Sequence, residues 1–284
     1  MESTIRIGAP PFLSVRPLIF GLTRSPDQHT DLIYDSPGNL ASALERNALD
    51  AALIPAIEYL RGIGQYLLDG PAHIAVATSC SLLLVASKDI EQVQRVAVDE
   101  FARTPVAVLR IVLDQLYGVT PDICVAKDAQ EKWQERFDAV LLSGDQGLRY
   151  INRNPVGSDK AYNLTEMWTS LTSTPLVLSI WAYNDPRLGG ELKKILITSR
   201  NLGDQNLSLL SDGIAHTSEF EGQFLYDQFK EGWRYELGRM EAEGFKALEE
   251  YAFRYQLIPK KRIMDSDTKA EQKPAIQPGI STNT

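Results

Sequence analysis

Cysteine is nearly absent: Cys80 and Cys124 are the two in 284 residues, in no C-x-x-C spacing and with no histidine pair nearby. That excludes a disulfide-held scaffold and a zinc site built on spaced ligands, and predicts two reduced, buried thiols. Histidine is equally scarce. His29, His73 and His216 have no catalytic partner close in sequence, and each reads as structural or solvated. No apolar stretch reaches the ~18 uninterrupted residues that span a bilayer. The opening Met1-Glu2-Ser3-Thr4-Ile5-Arg6-Ile7 has neither the basic nor the apolar part of a secretion signal, so a cytoplasmic protein without a membrane partner is expected. Basic charge is thin as well, 29 Lys and Arg against 37 Asp and Glu, with a formal net charge of −8. The longest basic run, Lys260-Lys261-Arg262, is too short for a nucleic-acid face. G-x-S-x-G, the phosphate-binding P-loop and H-E-x-x-H are all missing.

What is present is length and alternation. The chain suffices for about two ordinary domains. Short apolar strands alternate with apolar-periodic helices: Ile5-Arg6-Ile7, a helix from Pro17, Leu32-Ile33-Tyr34, a helix after Ser36 as N-cap, Leu49 to Ile54, and a helix opened by Pro55. The pattern returns with strands at Arg95 to Val98, Ile123 to Ala126 and 176 to 183, and a helix at 104 to 117. "LDAALIPAIEYL" (49 to 60) and "FDAVLLSGDQGL" (137 to 148) share one strand-turn-helix form, a hint of two similar lobes. Such alternation predicts an α/β fold with mostly parallel sheets flanked by helices. From 219 onward, aromatics at spacings of three and four (Phe220, Phe224, Trp233, Phe245, Tyr251) predict helices whose stripe is core. Residues 263 to 284 are polar, with little to bury, and are expected to form a disordered tail.

Anionic ligands favour the carboxyl ends of parallel strands, where helices present unpaired N–H groups. Arg103-Thr104-Pro105 falls at such a junction, with Thr104 as expected N-cap, Pro105 at N1 and Arg103 as a fixed charge. Two readings stay open there: a carboxylate or phosphate clamp, or a simple cap with Arg103 paired to Asp99 or Glu100. Hydroxyl-rich junctions recur around Ser14, at Thr78-Ser79-Cys80-Ser81, at Ser143-Gly144-Asp145 and at Thr172-Ser173-Thr174-Pro175. Together they predict a cleft between two lobes that takes a small polar anion.

At these junctions the chain resembles the chorismate dehydratases of the futalosine route to menaquinone. The matching stretches are "RIGAPPFLSVRPLIFGL", "PGNLASALERNALDAALIPAIEYLR", "VAVDEFARTPVAVLRIVL", "FDAVLLSGDQGL", "YNLTEMWTSLTSTPLVLSIWAY" and "EAEGFKALEEYAFRYQL". They cover about residues 5 to 258 in order. Departures are local: Ser14 stands where the family carries Asn, "ATSCSLLLVAS" lacks the family's Gly-Pro, and Ala102 and Pro105 flank a retained Arg103-Thr104.

The resemblance implies the two-lobed fold of periplasmic solute-binding proteins, type II. Residues 1–90 plus 184–262 would form one lobe and 91–183 the other. It also implies loss of water from chorismate, a small-molecule dianion, to give 3-enolpyruvylbenzoate, with neither metal nor organic cofactor. Arg103 and Thr104 would hold one carboxylate, and Ser14 and Ser81 the ring or enolpyruvyl side. Ser143, Gly144 and Thr174 would supply donors from the other lobe. Asp145, together with Ser14, is the candidate for catalysis, with an N-cap role for Asp145 equally open; a substrate carboxylate is the other candidate base. The competing reading is a non-catalytic or diverged carboxylate-binding protein on the same scaffold.

Overall fold

In the computed structural model the described residues are 4–24, 29–126, 133–154 and 160–263. The expected tail, apart from Ile263, lies outside them. From the N-terminus, β1 (Ile5–Ala9) leads through a 3-10 turn at Leu13–Val15 into α1 (Arg16–Arg24). Next come β2 (Thr30–Tyr34), α2 (Pro37–Glu45), β3 (Ala51–Pro55), α3 (Ala56–Arg61) and β4 (Tyr66–Ala75). The chain then builds a second sheet with β5 (Leu82–Ala86), β6 (Arg95–Val98), α4 (Arg103–Tyr117), β7 (Asp122–Val125), β8 (Ala139–Ser143), α5 (Asp145–Arg153), β9 (Lys160–Asn163) and α6 (Leu164–Thr172). It returns through β10 (Leu176–Tyr183), α7 (Gly189–Gln205), α8 (Leu207–Ala215), α9 (Gly222–Asp227), β11 (Trp233–Glu236) and α10 (Arg239–Arg254).

The first sheet has the order β11-β4-β10-β3-β1-β2 and the second β7-β6-β8-β5-β9. In the first, β1, β2, β3 and β4 run one way while β10 and β11 oppose them. In the second, only β5 opposes the rest. Each sheet therefore presents a run of strand carboxyl ends at one edge. This is the expected two-lobed α/β arrangement with helices on the sheet faces, but the sheets are mixed rather than mostly parallel, because β5, β10 and β11 pair with their neighbours antiparallel.

The lobe boundaries fall elsewhere than 90/91 and 183/184. Leu82–Ala86 pairs with β8 and β9 and so belongs to the second sheet. Leu176–Tyr183 pairs with β3 and β4 and belongs to the first. The crossings are thus residues 76–81 and 173–175. Both strands are apolar on both faces, so neither carries an alternation that assigns it to a sheet.

One apolar cluster runs through both lobes, from Ile7 and Leu53 to Val98, Val108 and Trp168. The other face of the second sheet closes over Trp133 and Phe137. The stripe expected to be core is core: Phe220, Trp233 and Phe245 are buried, and Phe224 and Tyr251 pack against them. Its segment is not all helix, because Trp233–Glu236 joins β4 as an edge strand. Close backbone approach sets the seam between α1 and α7. A Cβ on Gly203 would lie 2.0 Å from the Pro17 carbonyl oxygen, and Ser199 Oγ donates to Leu18 O at 2.8 Å while accepting from Leu22 N.

Candidate active site

A cavity of about 310 Å³ lies where the carboxyl ends of β1, β3, β6 and β8 meet. The first lobe lines it with residues including Phe12, Ser14, His73 and Ser179, the second with Asp99, Arg103 and Gln146 among others, and the crossing between them with Ser81. Three helices point their N-termini at it, with Pro37 of α2, Ala102 to Pro105 at the start of α4, and Ser143 to Gln146 at the start of α5. Unpaired N–H groups and aligned peptide dipoles make such a convergence attractive to anions despite the negative net charge.

Arg103 adds a full charge. Its side chain is 47 % exposed and stands 3.8 Å from Glu58 Oε1, an oxygen that Arg61 holds more closely at 2.9 Å. Neither Asp99 nor Glu100 pairs with it; Asp99 instead accepts from Phe101 N and Gln146 Nε2. The guanidinium rests over the first turn of α2, where a Cβ on Gly38 would meet Arg103 Nη2 at 3.3 Å.

Thr104 is not the N-cap. Ala102 holds that place and the helix starts at Arg103. The Thr104 hydroxyl, 1 % exposed, donates to Leu178 O at 2.9 Å and accepts from Ile57 N at 3.3 Å. Its hydrogen-bonding capacity is spent on joining α4 to β10 and α3, that is, one lobe to the other.

Ser14 and Ser81 are each 1 % exposed at the cavity, and Ser81 Oγ lies 2.9 Å from Ser79 Oγ. Ser143 and Gly144 line it from the second lobe. Gly144 is the N-cap of α5 with φ +61° and ψ −129°, a conformation that glycine alone adopts without strain. Asp145 is the first helical residue, not the cap, and its Oδ1 accepts from Leu13 N at 3.0 Å. Burial raises its pKa, against the pull of the Leu13 N–H and of Arg149 and Arg16.

Thr174 is not among the lining residues. It is buried behind them, its hydroxyl 2.9 Å from that of Thr172 and packed against Gly244 of α10. Ser173, in the left-handed region at φ 59°, ends α6 there and returns the chain to the first sheet. A hydroxyl-rich turn that only reverses the chain has the same composition as one that holds a ligand.

Among the lining residues that the sequence pattern does not assign to the site are Arg149 and His73. Arg149, in the second turn of α5, reaches the cavity while its Nε pairs with Glu219 Oε1 at 3.0 Å. His73, in β4, is 5 % exposed, and its Nε2 has no hydrogen-bond partner among the described residues. Gln146 Oε1, also at the cavity, and the Nε of Arg16, next in sequence to the turn that carries Ser14, are likewise buried without a partner among the described residues.

Comparison with known proteins agrees with this fold. A crystal structure of protein AF1704 from Archaeoglobus fulgidus superposes with a TM-score of 0.72 at 15% identity, covering 90% of this chain and 98% of that one. The periplasmic aliphatic sulphonate binding protein SsuA from Escherichia coli gives 0.62 at 14% identity, over 100% of this chain and 96% of that one. The alkanesulfonate-binding protein SsuA from Xanthomonas axonopodis pv. citri, bound to MOPS, gives 0.66 at 15% identity, over 93% and 97%. These likenesses establish the periplasmic-binding-protein-like fold. At the level of sequence, residues 5–254 match the family described as menaquinone biosynthesis, and the chain belongs to that family.

Proposed function

We propose that the protein is a chorismate dehydratase, a lyase that converts chorismate to 3-enolpyruvylbenzoate and water. The observation that carries this reading is the convergence of three helix N-termini and Arg103 on one small cavity shared by both lobes. Its volume of about 310 Å³ is at the lower end of ligand pockets, roughly 300 to 1,000 Å³, as a compact ring dicarboxylate requires.

In the reaction a ring carbon gives up a proton, its C–H electron pair becomes the new ring double bond, and the neighbouring C–O bond breaks. The departing hydroxide leaves with a proton as water. Aromatisation supplies much of the driving force, so the protein's task is to hold, orient and desolvate. Arg103 and the α4 N-terminus would bind one carboxylate. Ser143, Gly144 and the α5 N-terminus would supply donors from the same lobe, with Ser14 and Ser81 beside the ring. Thr104 serves by fixing the lobes rather than by lending its hydroxyl. Asp145, whose pKa burial raises, would act in one of two ways: as the acid that gives its proton to the leaving hydroxyl while a carboxylate of the substrate takes the ring proton, or, ionised, as the base that takes the ring proton and hands it on to the leaving hydroxyl.

Incubating purified protein with chorismate and following 3-enolpyruvylbenzoate by mass and absorbance tests the proposal. Absence of product from folded protein at micromolar concentration defeats it. Ser14, in place of the family's Asn, favours one second reading, a diverged carboxylate-binding protein. Chorismate binding without turnover would establish that reading instead.

A further inference from the structure

Among the lining residues to which the proposed chemistry gives no role is a buried histidine. His73 lies opposite Ser179 of β10 in the first sheet, 5 % exposed, with its Nε2 enclosed and unpartnered among the described residues. The Trp233 ring lies beside it, 6.4 Å between centroids. Buried polar groups in native proteins are almost always satisfied, and one left open beside a cavity marks a place where a ligand group belongs. The charged and the uncharged lining differ in exposure: Arg103 and Arg149 have side chains 47% and 45% exposed, whereas His73 and its strand partner Ser179, like the lining residues Ser81, Leu82 and Leu178, are uncharged and buried or half-buried.

We propose that His73 is a substrate-contacting residue that recognises an uncharged hydroxyl of the ligand, so that a dianionic guest enters hydroxyl edge first with its carboxylates toward Arg103 and Arg149. The assignment rests on the dianionic ring substrate proposed above and fixes its orientation. Burial pulls the His73 pKa down to about 4, and no charged group counters it, so the imidazole is neutral near pH 7. A neutral imidazole offers one donor and one acceptor, and a hydroxyl matches either ring tautomer. A carboxylate at the same place would be stripped of water with no countercharge beside it. The buried, uncharged lining therefore selects the neutral edge, and the exposed arginines select the charges.

The test compares ligands that differ in the hydroxyl. Dihydrochorismate keeps the hydroxyl and both carboxylates but cannot aromatise by losing water; 3-enolpyruvylbenzoate keeps both carboxylates and lacks the hydroxyl. Calorimetric Kd values for both are measured on the wild type, on His73→Leu and on His73→Gln, with thermal melting as the folding control. His73→Phe serves if the leucine variant melts early. The leucine variant should lose roughly tenfold on dihydrochorismate, the worth of one buried hydrogen bond, and stay within about twofold on the product. The glutamine variant should recover most of that loss. Isophthalate and 5-hydroxyisophthalate form a second pair that does not depend on the reaction. A wild type that fails to turn over chorismate yet prefers 5-hydroxyisophthalate through His73 would leave the hydroxyl contact standing and the assigned reaction wrong. Equal losses on both members of a pair, no preference for the hydroxylated member, or no binding of either pair overturns the inference.

Discussion

Asp145 of the second lobe accepts a hydrogen bond from the backbone N–H of Leu13 in the first, at 3.0 Å. The contact ties the first turn of α5 to the 3-10 turn that carries Ser14, so two sides of the cavity are held in register by one carboxylate. Burial raises that carboxylate's pKa above the ordinary 3.8, which means ionisation at neutral pH opposes folding. Asp145→Asn keeps an acceptor for Leu13 and removes the desolvated charge. The variant should be more stable than the wild type at pH 7. The difference should shrink as pH falls through the raised folded value and vanish below 3.8, where the wild-type carboxyl is protonated in both states. Urea unfolding from pH 7 to pH 4 measures it; a stability difference that does not change with pH would contradict the assignment. Under the proposed function the same variant should lose turnover while retaining ligand binding.

Thr104→Val tests the interlobe staple. The substitution preserves shape and leaves the Leu178 carbonyl and Ile57 N–H without their partner. A cost of about 1–3 kcal/mol is expected from unfolding titrations, and Thr104→Ser should recover most of it. Were the hydroxyl a ligand contact instead, Val would impair binding with stability intact.

Arg103→Ala should weaken any carboxylate ligand by roughly 10- to 100-fold, the range for losing a charge-assisted hydrogen bond. Its distance of 3.8 Å from the already occupied Glu58 implies little change in melting temperature. Binding that falls steeply with added salt in the wild type and less so in the variant would locate the attraction at this residue.

Gly203→Ala probes the seam between α1 and α7. The new methyl would stand 2.0 Å from a backbone carbonyl oxygen, and only movement of a helix relieves that. Destabilisation of about 1–3 kcal/mol or more is expected in denaturant unfolding, against a gain of up to ~1 kcal/mol for the same change in an unobstructed helix.

Much of this architecture was legible from residue pattern. Ser36 caps α2 through Asn39 N, and β6 and β10 start and stop where the apolar runs do. Arg103 and the Ser143-Gly144 turn reach the cavity because strand carboxyl ends and helix N-termini meet there by topology. The misreadings have a common cause: they depend on partners distant along the chain. A hydroxyl before a proline at a helix start has the local meaning of a cap; the Thr104 hydroxyl is claimed instead by Leu178, 74 residues away. Thr174 has the composition of a binding turn and faces α10. Trp233–Glu236 carries helical spacing and is drawn into the sheet by β4. His73 shows no partner along the sequence, and what distinguishes it, an unsatisfied nitrogen beside a cavity, exists only once both sheets have closed around it.

The two chain crossings have a further consequence. Ala75, where the first sheet is left, and Leu176, where it is regained, are direct partners across β4 and β10. The chain thus enters and leaves the intervening lobe through a single doorway, an insert within an otherwise continuous sheet rather than half of a tandem pair. A twisting motion about that doorway would change the mouth of the cavity most and the seam between α1 and α7 least. Shortening or stiffening residues 76–81 would accordingly alter how guests are admitted before it altered how well the protein folds.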